Sequence, residues 1–279
     1  MHGHPFHQGA GPPAGGGARP AALWLLSGTG EGPPLATALL ARGWRLRVSV
    51  VSAAAARAYG PHPRLELQVG PLGGETAIRA QLLAAGVPRF RWVVDGTHPF
   101  ARRISADLRA ACAAAGQPLL RLERPRLTGP EPRRGVVGLE AVAQLAQQPL
   151  AGERLLLAIG SRGLAEALRH SRAAAHYARI LDNPRSLQLA RAAGLADAQL
   201  ACLRPGRGLA AAGAGALERA LCRRWGITAV LCRASGGTTE ALWRQVCAEL
   251  DLRLLLLRRP PDSAAGLCPE ALLAKLGHP

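Results

Sequence analysis

The stretch that decides the fold is W-V-V-D-G-T-H-P-F-A-R-R-I-S, residues 92–105. Three apolar residues end in an acid, a small polar turn follows, and a helical pattern begins near Pro99. This pattern is typical of a buried parallel strand that leads directly into a helix. Proline suits the first helical position, because its missing N–H would have no partner there. We therefore predict a helix that begins at Pro99 and is capped by Thr97 or His98.

The start of this helix is a candidate ligand site, because unpaired N–H groups and the helix dipole attract anions. Asp95 and His98 place a carboxylate and an imidazole at the same edge, where ligands bind in open α/β sheets. Both are candidate catalytic residues, since either side chain can transfer a proton. Thr97 and Pro99 are candidate cofactor contacts. The plainer interpretation is that Asp95 and Thr97 only cap the helix.

A glycine-rich turn, S-G-T-G-E-G-P-P at 27–34, follows the first predicted strand at 22–26. Strand, glycine turn and helix form the first unit of a nucleotide-binding sheet, in which glycines let the backbone approach a phosphate. The spacing departs from G-x-G-x-x-G, because Pro33 takes the third glycine position, and an ordinary tight turn is the alternative. The candidate cofactor contacts here are Gly28, Thr29, Gly30 and Glu31.

The end of the second predicted strand, at 46–51, indicates which dinucleotide is bound. Folds that bind NAD place an acid here to hold the ribose 2′-hydroxyl. This chain has Ser52 and, after an alanine run, Arg57. A hydroxyl and a guanidinium fit a 2′-phosphate, so the sequence predicts NADPH as the cofactor. The alternative is that Arg57 is a solvated helix residue.

The second half of the chain has two further turns at strand ends. G-S-R-G at 160–163 follows a predicted strand at 154–159, and R-A-S-G-G at 233–237 follows one at 227–232. Backbone donors and a cation at the end of a strand can hold an anion, although a plain turn is the simpler interpretation of the first stretch. A helix is predicted over 138–147. The candidate substrate contacts are Ser161, Arg162, Arg233, Ser235, Gly236 and Gly237.

Composition limits the functional class. The 279 residues carry a formal net charge of +17, almost wholly from arginine, with Lys275 as the one lysine. The arginines are dispersed and no aromatic platform accompanies them, so nucleic-acid binding is possible but unsupported. Apolar runs are too short to span a bilayer. The six cysteines lack C-x-x-C spacing, which indicates reduced cysteines, no metal site and a cytoplasmic protein.

Five short stretches resemble, in order, the precorrin-6A reductases and cobalt-precorrin-6A reductases of cobalamin biosynthesis. They are G-T-G-E at 28–31, D-G-T-H-P-F-A at 95–101, R-L-E-R-P at 121–125, A-R-I-L at 178–181 and S-G-G at 235–237. The chain departs from that family at Ser27 and Gly96, where glycine and alanine are usual. It also has Arg233 where lysine is usual, which keeps the charge but changes its geometry.

The resemblance implies hydride transfer from NADPH to the macrocycle of precorrin-6A, or of its cobalt form, giving precorrin-6B. It implies two Rossmann-like α/β domains with parallel sheets and an active site in the interdomain cleft. We expect a disordered tail at 1–20, a first domain at 21–125 and a second domain at 126–279.

The partner implied by the resemblance is a tetrapyrrole polycarboxylate, which a basic cleft attracts. Neither nucleic acid nor a membrane is an expected partner, and the sequence leaves the oligomeric state open. The alternatives are another NAD(P)-dependent Rossmann-type reductase and a non-enzymatic, basic binder of nucleotides or nucleic acid. A short-chain reductase would need a Tyr-x-x-x-Lys pair, which this sequence lacks.

Overall fold

The computed structural model describes residues 21–28, 30–84, 89–203, 214–261 and 265–279. The expected tail at 1–20 and the candidate residue Thr29 lie outside these described residues. Within them, the chain forms two α/β units, each built on one sheet of parallel strands. No helix in the described ranges is long and apolar enough to cross a bilayer.

The first sheet contains the first five strands of the chain. They are β1 (Ala22–Ser27), β2 (Arg45–Val50), β3 (Leu65–Val69), β4 (Phe90–Gly96) and β5 (Leu119–Arg121). Their order is β3-β2-β1-β4-β5 and all pairings are parallel. The helices that connect them are α1 (Gly32–Ala41), α2 (Ala53–Ala56), α3 (Glu75–Leu83) and α4 (Arg102–Ala114).

The second sheet contains six parallel strands. They are β6 (Val136–Leu139), β7 (Arg154–Ala158), β8 (Ala175–Ile180), β9 (Leu200–Cys202), β10 (Ala229–Arg233) and β11 (Arg253–Leu257). Their order is β6-β11-β10-β7-β8-β9. The helices of this unit are α5 (Leu164–His170), α6 (Pro184–Ala192), α7 (Ala216–Trp225) and α8 (Thr238–Leu250).

Apolar side chains cover both faces of each sheet. In β1, Leu23 and Leu25 join one buried cluster while Trp24 joins the cluster on the opposite face. In β7, Leu155 and Leu156 divide between the two faces in the same way. A parallel strand needs such continuous apolar sequence, because helices pack against both of its faces.

The C-terminal segment returns to the first sheet. Helix α9 (Pro269–Leu276) buries Leu272 and Leu276 in the cluster that contains Leu39 of α1. Leu267 pairs with Leu122 as a parallel bridge beside β5. Residues 267–279 therefore pack with the first unit, although the sequence analysis placed them in the second domain. The chain crosses between the units twice, through a first connector (residues 122–135) and a second connector, whose described residues are 258–261 and 265–266.

Two local predictions are wrong. The helix predicted over 138–147 is strand β6 followed by a 3-10 turn at Val142–Gln147, because pairing with β11 holds residues 136–139 extended. The helix predicted to begin at Pro99 begins at Arg102 instead. Residues 98–101 form a tight turn, in which the N–H of Ala101 donates to the carbonyl of His98 at 2.7 Å.

Candidate active site

The strand order of the first sheet reverses between β1 and β4. Chain connections leave these neighbouring strands toward opposite edges of the sheet, which opens a crevice at their carboxyl ends. The glycine turn after β1 and the Thr97–Pro99 segment after β4 lie at this point. A Cβ atom added to Gly28 would meet nothing within 4 Å. The open space beside this backbone fits the approach of a ligand phosphate.

Gly32 is a residue of this crevice that sequence reasoning missed. A Cβ atom there would lie 2.1 Å from Tyr59 Oη and 2.5 Å from Ser27 Oγ. The start of α1 therefore packs directly against the end of β1, a contact that only glycine allows. Tyr59 in turn donates a hydrogen bond to the carbonyl of Gly28 (2.8 Å) and fixes the turn.

Asp95 is buried, and one of its carboxylate oxygens, Oδ1, makes three polar contacts. Its side chain is 3% exposed, and Oδ1 lies 2.7 Å from Arg121 Nη1. The same oxygen accepts hydrogen bonds from the N–H of Thr97 (3.0 Å) and from Thr97 Oγ1 (2.7 Å). Arg121 also donates to Thr97 Oγ1 (3.1 Å). These contacts hold the loop after β4 in place, and the role of Asp95 in proton transfer stays a prediction.

The turn after β4 orients His98. The N–H of Phe100 donates to His98 Nδ1 at 3.2 Å, so the proton of the neutral imidazole lies on Nε2. The N–H groups of Phe100 and Ala101 are therefore occupied inside the turn, and they are not the unpaired donors that the sequence predicted at the start of this helix.

Partial desolvation between the two units is the main cause that lowers the pKa of His98 to about 4. The positive charges of Arg124, Arg233, Arg121 and Arg259 lower it further. The imidazole is consequently neutral at pH 7. It can donate a hydrogen bond through Nε2, but it does not carry the extra proton of an imidazolium.

Ser52 and Arg57 lie where the sequence placed them, beyond the end of β2. Ser52 Oγ caps the short helix α2 by accepting from the N–H of Ala55 (3.2 Å). Both side chains are exposed to solvent. Because β2 neighbours β1, an anion bound near the glycine turn can extend to this pair.

The strand order of the second sheet reverses between β7 and β10. Ser161 and Arg162 follow β7, and Arg233 ends β10. Nε of Arg233 is buried and has no hydrogen-bond partner among the described residues. The guanidinium lies over the ring of Phe100, 5.0 Å from its centroid. Phe100 belongs to the first unit but packs against the apolar core of the second.

In the S-G-G turn at 235–237, a backbone donor is already occupied by a contact within the protein. The N–H of Gly236 donates to Glu240 Oε2 at 2.7 Å, so it is not available to hold an anion. A Cβ atom at Gly236 would lie 2.4 Å from the carbonyl oxygen of Pro125. The glycine therefore permits the first connector to pass against the second unit. The Ser235 side chain is buried beside it, at 4% exposure.

Arg124 joins the crevices of the two units. Its Nη2 pairs with Glu31 Oε2 at 2.6 Å. Its Nη1 lies 3.0 Å from where a Cβ of Gly237 would be. Arg259 anchors this region by donating to the carbonyls of Arg124 (2.6 Å) and Ala234 (2.9 Å). The turns after β1, β4 and β10 thus meet in one interdomain crevice. Ligands bind at the carboxyl ends of parallel strands where the strand order reverses, so this crevice is the candidate active site of an α/β enzyme.

The family model of precorrin-6x reductase CbiJ/CobK matches residues 22–276, so the chain belongs to this family. It is 32% identical over 248 residues to the cobalt-precorrin-6A reductase of Synechocystis sp., covering 86% of this chain and 89% of the relative. It is 30% identical over 252 residues to the precorrin-6A reductase of Rhodobacter capsulatus, covering 88% and 91%.

A solved structure of CobK precorrin-6A reductase superposes with a TM-score of 0.72 at 25% identity. The match covers 92% of this chain and 98% of that one. The family resemblance, the two-domain α/β fold class and the oxidoreductase class predicted from the sequence are confirmed. The chain is a reductase of cobalamin biosynthesis.

Proposed function

We propose that this protein transfers hydride from NADPH to precorrin-6A, or to its cobalt form, and yields precorrin-6B. The observation that carries the proposal is the shared crevice, in which Phe100 of the first unit touches Arg233 of the second. Such a crevice brings two large anions together. When bound, NADPH supplies the hydride, and the protein orients the reactants.

The glycine turn after β1 would hold the pyrophosphate. Gly28 leaves open space for it, and Tyr59 keeps the turn in place. The other predicted contacts of the cofactor are Gly30, Glu31, Thr97 and Thr29, the last of which lies outside the described residues. Ser52 and Arg57 would hold the 2′-phosphate, since their exposed hydroxyl and guanidinium lie beyond the neighbouring strand.

Arg233 would bind an anion in the crevice. Its unpartnered Nε and the neighbouring positive charge of Arg162 leave this region with uncompensated positive charge. The other predicted contacts of the substrate are Ser161, Ser235 and Gly237, which surround that charge.

Neutral His98 would donate a hydrogen bond through Nε2, and Pro99 would border the reacting atoms. The proton that accompanies the hydride would come from solvent at the crevice, because Asp95 is buried and His98 carries no extra proton at pH 7.

We further propose a cytoplasmic location. All six cysteines are free thiols, and four of them are buried. Unpaired cysteines are typical of reducing compartments.

The test mixes the protein, NADPH deuterated at the transferred position of the nicotinamide, and precorrin-6A with or without cobalt. We expect the NADPH and macrocycle absorbance bands to change together, with one deuterium in the reduced macrocycle. An NADPH band that stays constant, or a product without deuterium, would contradict direct hydride transfer.

A further inference from the structure

A cavity of about 1050 Å³ lies between the two connectors and the β6–β11 edge of the second sheet. None of the candidate substrate contacts predicted from the sequence lines it. Both connectors form its sides, and helix α8 contributes Glu240 and Arg244. Its volume is in the range of pockets that enclose large organic ligands.

The cavity is positively charged. Six arginines and four glutamates line it. Several of these arginines have internal partners, such as Arg244 Nε with Glu240 Oε1 at 2.9 Å. Two are different. Arg258 pairs with Glu140, but both side chains are about 60% exposed, and such surface pairs contribute little. Arg126 forms no ion pair or hydrogen bond within the described part of the chain.

The walls between these charges are apolar. Leu127 from the first connector, Val136 from β6, Leu256 from β11 and Pro260 from the second connector line the cavity. A cavity that combines apolar side chains with arginines suits a large ring that carries carboxylate arms. A small inorganic anion would leave most of this surface without contact.

The cavity borders the crevice where hydride transfer is proposed. Pro99 and Arg121 line it from the first unit, and Ala234 lines it from the second. Pro99 follows His98, and Ala234 follows Arg233. A ring bound in the cavity would therefore lie against the turn after β4, next to the proposed position of the cofactor.

We propose that the connector cavity holds the ring and several carboxylate arms of the tetrapyrrole substrate, with Arg126 and Arg258 as its carboxylate contacts. This inference rests on the proposed function and assigns the substrate to a place that the sequence did not indicate. The competing position places the ring itself, and not only a carboxylate arm, in the crevice beside Ser161 and Arg162.

The first test compares Michaelis constants. The double variant Arg126→Ala/Arg258→Ala loses two charge-assisted contacts, so we expect its KM for precorrin-6A to rise by about tenfold or more, with an unchanged KM for NADPH. Arg133→Ala is the matched control, since Arg133 is exposed on the same connector and does not line the cavity. An unchanged KM in the double variant, or an equal rise in Arg162→Ala, would overturn the proposal.

The second test needs no turnover. Uroporphyrin, a tetrapyrrole with carboxylate arms, is titrated with protein and its fluorescence anisotropy is followed. Ala265→Trp should fill the cavity from its exposed rim and weaken binding, whereas Ala114→Trp on exposed α4 should not. If the wild-type protein binds the porphyrin and only the cavity variants lose it, the cavity is supported even without reductase activity. Absence of binding, or equal binding by Ala265→Trp, would overturn the proposal, while hydride transfer by the wild type would still support the function.

Discussion

The buried pair of Asp95 and Arg121 permits a quantitative prediction. The Asp95 and Arg121 side chains are 3% and 11% exposed. In Asp95→Ala, Arg121 loses the carboxylate that lies 2.7 Å from its Nη1, and the N–H of Thr97 loses its acceptor. Removing one partner of a buried ion pair costs about 3–5 kcal/mol when the remaining charge has no other partner. Arg121 keeps other polar contacts, such as that with Thr97 Oγ1 at 3.1 Å, so we expect a loss near the lower end of this range.

The expected loss is large enough to measure by thermal or urea unfolding. At about 3 kcal/mol, the Tm should fall by about 6–12 °C for a chain of this size. Asp95→Asn keeps the acceptor oxygen and should lose less. Asp197→Ala is the matched control, because its pair with Arg191 is exposed, and we expect no measurable change in Tm.

The same variants separate positioning from catalysis. If Asp95 positions the turn, Asp95→Asn should retain part of kcat with an unchanged pH profile, and activity should follow stability across the variants. The reasoning would be refuted if Asp95→Ala kept the wild-type Tm, or if Asp95→Asn abolished kcat at wild-type stability.

Four further predictions concern the crevice. The pKa of His98 falls from 6.5 to about 4 on folding, so the unfolded state binds more protons between these two pH values, and the free energy of unfolding should decrease as the pH falls through this window. Urea unfolding of His98→Asn should show a weaker decrease with pH. Equal pH dependence of the variant and the wild type would contradict the shift. Arg57→Ala should weaken NADPH binding more than NADH binding in calorimetric titrations, and equal losses would remove the phosphate assignment. Gly28→Ala should leave the Tm unchanged, because a Cβ atom at Gly28 would meet nothing within 4 Å, but it should weaken NADPH binding. Gly32→Ala should lower the free energy of unfolding by about 1–3 kcal/mol, because its Cβ atom would overlap Tyr59. If Gly32→Ala unfolds with the free energy of the wild type, this contact is loose.

Most of the strands were predictable because a strand buried on both faces must be a continuous apolar run. Residues 155–157 in β7 and 254–257 in β11 are such runs. Strand β6 was missed because it has four residues, contains Gly138, and owes its conformation to pairing with a strand far along the chain. The return of α9 to the first sheet is likewise a tertiary packing effect that local sequence does not encode.

The position of the crevice was predictable, because the carboxyl ends of neighbouring parallel strands must lie together. The roles of the individual residues were less predictable. Asp95 ends a strand as a catalytic acid would, but its partner Arg121 comes from the next strand, and only the pairing of β4 with β5 shows that the carboxylate is enclosed. The role of Arg124 depends in the same way on Glu31 of the opposite turn. The sequence did contain a signal for the close contact at Gly32, since this residue is a further glycine directly before Pro33 at the start of a helix.

A crystal structure of the protein with NADP⁺ tests most directly whether the two sheets share one crevice that serves the reaction. We predict the pyrophosphate at the turn of Gly28 and Gly30, the 2′-phosphate at Arg57, and the nicotinamide facing Pro99 between the two units. NADP⁺ bound at the Gly160 turn of the second sheet, or outside the crevice, would contradict this account.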